Sequence, residues 1–269
     1  MDSGPPVLSN LPFVEQVVIV GVGELGGVFA RGFLRLGLTV VPVIRSTDPS
    51  AVAGEVPHPR LCLVAVGETD LSPTLASLPS PWKGRVGLLQ NELLPRTWLA
   101  HDIADPTVAV VWFEKKPGQD VKQIISTPVA GPEAPMMVAA LSSITIAAHE
   151  ATASEVEQAL VAKNLYILTA NIAGLETRGS VQDLWYSHRD LAESVTDEIA
   201  DLQRELLGHE FDRDAAKAEM VRAFDADPNH GSMGRSAPVR LRRALQHADA
   251  FGREVPTLRR LAADHLEGA

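Results

Sequence analysis

The stretch "VVIVGVGELGGVFARGFLRLGLTVVPVIRST", residues 17–47, constrains the fold of this chain more than any other. A short apolar run meets three glycines, a helical pattern follows, and a second apolar run closes the unit. Gly21, Gly23 and Gly26 stand in the spacing G-x-G-x-x-G directly after the first run. In such a turn the first glycine permits a tight bend and the second lets a pyrophosphate approach the backbone. The third lets the helix lie close against the strand. The helix N-terminus then faces the phosphates with free N–H groups and the positive end of its dipole. The backbone from Gly21 through Gly23, Glu24 and Leu25 to Gly26 is therefore expected to hold a dinucleotide, the plainer alternative being a bare tight turn.

The end of the second apolar run bears on which dinucleotide. An Asp or Glu there accepts hydrogen bonds from the ribose 2′-hydroxyl of NAD. This chain has Arg45, Ser46 and Thr47 instead. A guanidinium with two hydroxyls suits a 2′-phosphate, so the expected cofactor is NADP. A solvated arginine at a strand end is the alternative.

Further short apolar runs at residues 61–66, 85–90 and 108–113 join those at 17–20 and 38–44. Continuous apolar runs of this length suit strands covered on both faces, and their alternation with helical patterns predicts a doubly wound, Rossmann-like α/β domain. "WFEKKPGQDVKQIIS" reads as a hairpin around Pro117-Gly118, and "TPVAGPEAP" as the loop that ends the domain at about residue 132. Residues 133–269 read as an all-α domain. Ser154 with Glu157 has the capping-box spacing of a helix running to about Gly174, and Ser180 with Asp183 opens a second, closed by Gly208. Helical patterns at about 214–224, 238–251 and 256–266 complete it.

Of the 269 residues, 45% are hydrophobic and 22% charged, and the formal net charge is −10. A net acidic surface repels phosphate backbones, so nucleic acid is not expected as a partner. No apolar run reaches the roughly 20 residues that span a bilayer. "MDSGPPVLSNLPF" lacks the apolar core of a secretory signal and reads as a loose leader. The single cysteine, Cys62, lies in an apolar run and reads as a buried small hydrophobe; a cytoplasmic setting is expected. The eight histidines show no ligand spacing with Cys, Asp or Glu, so no metal is expected. Lys115-Lys116 and Arg240-Arg242-Arg243 are small basic clusters whose plainer reading is a solvated face, the second being a candidate for an anionic substrate. An apolar helix face can cover a core or a second copy equally well, which leaves a homodimer open.

A second signal is "VAKNLYILTANIAGL", residues 161–175. Lys163 and Asn171 lie eight residues apart, close to one face of a helix, in otherwise apolar surroundings. Desolvation there lowers a lysine pKa toward neutrality and suits it to general acid chemistry. On spacing alone, a solvated or snorkelling lysine explains the pattern more readily.

A G-x-G-x-x-G domain followed by helices bearing this lysine resembles the ketopantoate reductase (2-dehydropantoate 2-reductase) family, whose members reduce a 2-keto acid with NADPH. The resemblance implies that Lys163 protonates the carbonyl oxygen. In the family's Lys-x-x-x-Asn-x-x-x-Asn pattern, Asn171 takes the second asparagine and Ile167 replaces the first. "LLQNELL" is similar to the family's "QNG" loop, which implies a cofactor- and substrate-facing Asn91. Ser232-Met233 resembles the Ser-Met pair, which implies that Ser232 holds the substrate carboxylate. "FGREVPT" is similar to the family ending. The sequence departs from the pattern where Gly67 follows the third strand in place of a lysine. It also has Glu92 for the "QNG" glycine, and Ser236 or Ala244 for a glutamate beyond Ser-Met. The function implied is NADPH-dependent reduction of a 2-keto acid. The departures supply the competing reading, an NADP-binding sensor or scaffold. A third reading, the β-hydroxyacid dehydrogenases, carries a glycine-rich turn before its lysine where this chain has "ALVA".

Overall fold

The computed structural model describes residues 15–266. The leader sequence at 1–13 lies outside the described residues. The chain opens with β1 (Gln16–Val20), α1 (Glu24–Arg35) and β2 (Thr39–Val43), then α2 (Pro49–Glu55), β3 (Leu61–Val64) and α3 (Glu68–Ala76). A 3₁₀ turn at Ser80–Arg85 leads to β4 (Val86–Leu88), α4 (Pro95–Leu99) and β5 (Thr107–Ala109). These five strands are parallel, in the order β2-β1-β3-β4-β5. Val17, Val18, Ile19, Leu61, Cys62, Leu63 and Val64 are fully buried, because helices cover both faces of the sheet. Burial also pushes the Cys62 thiol far up, so it stays an inert core group. The strand order reverses between β1 and β3, and an α/β sheet opens its ligand crevice at that point.

The hairpin forms as expected, with β6 (Phe113–Glu114) paired antiparallel to β7 (Lys122–Gln123) around the turn at Gly118. Beyond the hairpin the fold departs from the expectation. "TPVAGPEAP" is not a terminal loop: it contains β8 (Thr127–Ala130), antiparallel to β5. α5 (Ala134–Ser143) and β9 (Ala148–Glu150) then complete a seven-stranded sheet. The expected boundary at residue 132 is thus crossed by the sheet, which ends at Glu150. Pro128 argues against a strand by sequence, yet here it needs no donor. Its carbonyl accepts from Val110 N at 3.0 Å, and the ladder asks only that of it.

The helical part is α6 (Ala153–Thr177), α7 (Val181–Ser187), α8 (Arg189–Leu207), α9 (Arg213–Ala226), α10 (Ala237–Phe251) and α11 (Pro256–His265). The capping box of α6 uses Thr152 and Glu155 rather than Ser154 and Glu157; Glu155 N donates to Thr152 Oγ1 at 3.2 Å and Thr152 N to Glu155 Oε2 at 2.7 Å. Ser180 and Asp183 form the second box as expected, but the helix they open breaks at His188 and restarts as α8. Gly208 closes α8 in the left-handed conformation. α6 is buried nearly all round between Leu160 and Leu175, as a central helix wrapped by α8, α9, α10 and α11 must be. Within it, Asn164 pairs with Gln203 at 2.8 Å and Thr169 with Thr196 at 3.0 Å, so these two buried polar groups are satisfied. Among the described residues no helix is long and apolar enough to cross a membrane.

Candidate active site

The glycine turn is built for a close backbone approach. Gly21 has φ +93°, and its N–H bonds Val43 O at 2.9 Å, tying the end of β1 to the end of β2. A Cβ on Gly26 would sit 2.2 Å from Gly21 O, so only glycine lets α1 start this near the strand. A Cβ on Gly23 would meet nothing within 4 Å. Gly23 is also the N-cap of α1, and no side chain caps that terminus. An open glycine beside uncapped N–H groups is the arrangement a pyrophosphate needs. Glu24, in the first turn, is held aside by Lys115 at 2.8 Å.

At the end of β2 the Arg45 side chain is 98% exposed, with Asp70 Oδ2 3.7 Å away. Ser46 is also exposed, whereas the Thr47 hydroxyl accepts from Ile44 N at 3.2 Å and serves the turn. Ser46 and Arg45, the latter with only the long Asp70 contact, therefore face solvent, whereas the Thr47 hydroxyl is engaged.

A cavity of about 540 Å³ lies between the carboxyl-end loops of the sheet, the hairpin and the helices. Its wall includes Asn91, Trp112, Lys163, Tyr166, Asn171 and Arg240. Lys163, Asn91 and Asn171, nominated separately by sequence, thus share one wall. Lys163 is 8% exposed; its Nζ donates to Val111 O and lies 5.4 Å from the Trp112 ring centroid. Burial brings its pKa down to about 7, against the pull of Glu68 and with a smaller push from Arg240. Trp112 Nε1 and Tyr166 Oη are buried in the same wall without a hydrogen-bond partner among the described residues. Such groups are rare in a finished interior and take a polar partner, water or ligand.

Ser232 does not join this set. It is fully buried, and its hydroxyl donates to Arg178 O at 2.7 Å, with Gly179 O at 3.3 Å. α6 causes this: a Cβ on Gly174 would lie 2.8 Å from Ser232 C and O, so helix and loop touch backbone to backbone. Met233 and Gly234 line the cavity in place of Ser232.

Arg240 departs furthest from its expected place. It is not on a solvated face but 9% exposed, with Nε 2.8 Å from Glu92 Oε1 and Nη2 2.7 Å from Glu68 Oε1. Nη1 reaches Asn171 Oδ1 at 3.1 Å. Arg243 adds a second cation on Glu92 at 3.2 Å, while Arg242 is exposed as expected. Ser236, Arg240 and Ala244 are four residues apart and share one face of α10. Glu68, next to Gly67, and Arg240, between Ser236 and Ala244, meet as an ion pair across the cleft. Glu92 adopts φ +55°, the left-handed backbone that a glycine takes freely. Burial pushes its carboxyl up, Arg243 opposes that, Glu68 adds to it and Arg240 opposes it.

Compared with known proteins, the chain matches no family model, and no curated protein matches it in sequence. Solved structures do. The 2-dehydropantoate 2-reductase of Methylococcus capsulatus superposes with a TM-score of 0.66 at 14% identity, over 92% of this chain and 94% of that one. The chain has the ketopantoate reductase fold. The dimeric ketopantoate reductase of Staphylococcus aureus gives 0.62 at 16% identity, over 93% of this chain and 96% of that one. A D-mandelate dehydrogenase in complex with NADH gives 0.63 at 14% identity, over 93% and 97%. These fold neighbours are oxidoreductases, and one of them holds a nicotinamide cofactor in its structure.

Proposed function

We propose that this chain is an NADPH-dependent reductase of a 2-keto acid, with Lys163 as the proton donor. The observation that carries the reading is Lys163 itself: a buried amino group in a polar cleft, with a pKa brought down to about 7. Residues of the glycine turn would hold the diphosphate, Arg45 and Ser46 the 2′-phosphate, and Asn91 the nicotinamide end. A reduced nicotinamide held there would supply the hydride that the keto carbon needs. As an ammonium, Lys163 has three N–H groups; one is taken by Val111 O, which leaves others for the carbonyl oxygen. The proton passes from Nζ to that oxygen, yielding the 2-hydroxy acid, and the amine regains a proton from water. Asn171, anchored to α6 through Ile167 O at 2.9 Å, would fix the substrate's orientation. The Staphylococcus aureus neighbour makes a homodimer the assembly to test, and sedimentation of the purified protein decides it.

The charge on Lys163 sets two pH dependences. Since only the ammonium donates, kcat/KM for reduction is expected to fall about tenfold per pH unit above about 7, while oxidation of the 2-hydroxy acid, which needs the free amine, rises up to about 7 and levels off above it. Stability has its own dependence. Between the ordinary 10.5 and about 7 the unfolded chain carries a proton on Lys163 that the folded chain does not. The unfolded state binds more protons there, so stability rises with pH across that window and is flat in this respect below it. A pH series of both rates and melting temperatures tests the two signs together.

Arg45→Asp is expected to weaken NADPH binding by about 10- to 100-fold, the worth of a lost charge-assisted contact, and to leave NADH binding nearly unchanged. Fluorescence titration with each cofactor measures it; equal loss of both would remove the 2′-phosphate role. The sensor reading predicts tight NADPH binding with no substrate consumed, and the same purified protein decides between them.

A further inference from the structure

Arg240 gathers acceptors from three separate parts of the chain: Glu92 after β4, Asn171 on α6 and Glu68 at the start of α3. A guanidinium has five N–H groups, so one on each terminal nitrogen is left over. The three acceptors are not equivalent. Glu92 is held a second time by Arg243 at 3.2 Å, and Asn171 is anchored to its own helix. Glu68 has no other side-chain partner among the described residues, and its side chain is 19% exposed against 12% for Glu92. It is also the first residue of α3, whose N-cap Gly67 offers no side-chain cap, so the helix N-terminus can take the carboxylate back. Of the three, Glu68 is the one that can leave.

We propose that Arg240 is the receptor for the substrate carboxylate, and that Glu68 fills the position until a 2-keto acid exchanges for it. The inference rests on the 2-keto acid reading above and names the residue that selects this substrate class. Ser232 cannot do it, because its hydroxyl is committed to Arg178 O. The other cations of the wall besides Lys163, Lys116 and Lys122, are more than half exposed and sit on Glu114 and Asp227. Arg240 alone is buried, planar and forked, and it binds a carboxylate in two parallel bonds where a neutral ketone gains nothing. Exchange also conserves the local charge: one carboxylate replaces another beside the guanidinium. Lys163 responds to the charges of both Glu68 and Arg240, so the site lies within electrostatic reach of the proton donor.

The test uses 2-oxoisovalerate and benzoylformate, each beside the ketone in which methyl replaces the carboxylate. NADPH oxidation is followed for all four, and binding of the two acids to the protein with NADP⁺ is measured by calorimetry. Glu68→Gln is expected to tighten acid binding about three- to tenfold, because the resident competitor is gone and Arg240 remains. Arg240→Lys keeps a charge but loses the fork, and is expected to weaken acid binding about tenfold and to narrow the preference for the acids over the ketones. Arg240→Met is expected to lose the preference for acids altogether; should it fail to fold, the first two variants still decide. Unchanged acid affinity in both Glu68→Gln and Arg240→Lys overturns the inference, and does so without touching the reductase reading if turnover persists. Arg240-dependent acid binding in a wild-type protein that consumes no NADPH supports the inference and overturns the reading. A wild-type protein that binds neither acid overturns the inference as well.

Discussion

Replacing Lys163 by methionine is expected to lower the turnover of a 2-keto acid by about 10²- to 10⁴-fold, the usual contribution of a positioned proton donor. Binding of NADPH is expected to survive, because the glycine turn and Arg45 are on other elements. The variant should also be more stable than the parent at neutral pH. Lys163 is buried with its folded pKa depressed, and methionine removes that cost while filling much the same space. A loss of turnover with a raised melting temperature excludes unfolding as its cause. The bell or slope of the pH profile should change with it: any residual reduction by Lys163→Met is expected to lose the fall above pH 7. Rates, cofactor titration and thermal melts on one preparation check all three. Turnover within about threefold of the parent would take the proton from some other group.

The second large effect separates fold from function within the glycine turn. Gly26→Ala places a Cβ 2.2 Å from Gly21 O, backbone against backbone, and neither atom belongs to a side chain that can turn away. The helix must move off the strand, at a cost of about 1–3 kcal/mol or more. Alanine's better helix propensity, about 1 kcal/mol, does not offset it. Gly23→Ala meets nothing within 4 Å and should melt within a few degrees of the parent, a loss of about 1 kcal/mol or less at an N-cap. It nevertheless fills the space through which a pyrophosphate reaches the N–H groups of α1, so NADPH affinity is expected to fall about tenfold or more. Thermal melts and cofactor titrations separate the pair if the turn binds a dinucleotide: Gly23→Ala loses affinity while keeping its melting temperature, whereas Gly26→Ala loses stability. If Gly23→Ala binds NADPH as the parent does, the turn serves only the fold.

The parts of the fold that sequence reveals are those with local causes. Four buried parallel strands and the half-buried edge strand β2 announce themselves as apolar runs, and the Ser180–Asp183 box is legible in four residues. The hidden parts have nonlocal causes. β8 carries Pro128 and is legible only once Val110 is known to lie opposite its carbonyl. β9 is a three-residue edge strand with His149 and Glu150 exposed, so it has no apolar signature at all. His188 interrupts a pattern of apolar residues that is continuous in sequence on both sides.

The site divides in the same way. Lys163 and Asn171 are legible because one helix places both. Arg240 is not, because three arginines on a short helix look alike until it is known which one is buried. Its partners, Glu68 and Glu92, come from the far end of the chain and arrive by way of the strand ends of the sheet. The one available signal is chemical: a lysine and a glutamate absent from two sides of a cleft, and an unexplained glutamate beside one of those positions. Ser232 fails for a related reason, since a motif fixes which residues are adjacent but not which way the loop is pressed by Gly174.

The measurement that tests the central claim most directly is NADPH oxidation by the purified protein across a panel of 2-keto acids, including ketopantoate, 2-oxoisovalerate and benzoylformate. The account predicts turnover of at least one acid, slower with NADH, declining above pH 7 and at least about a hundredfold lower in Lys163→Met. NADPH bound tightly with nothing reduced across the panel would contradict it.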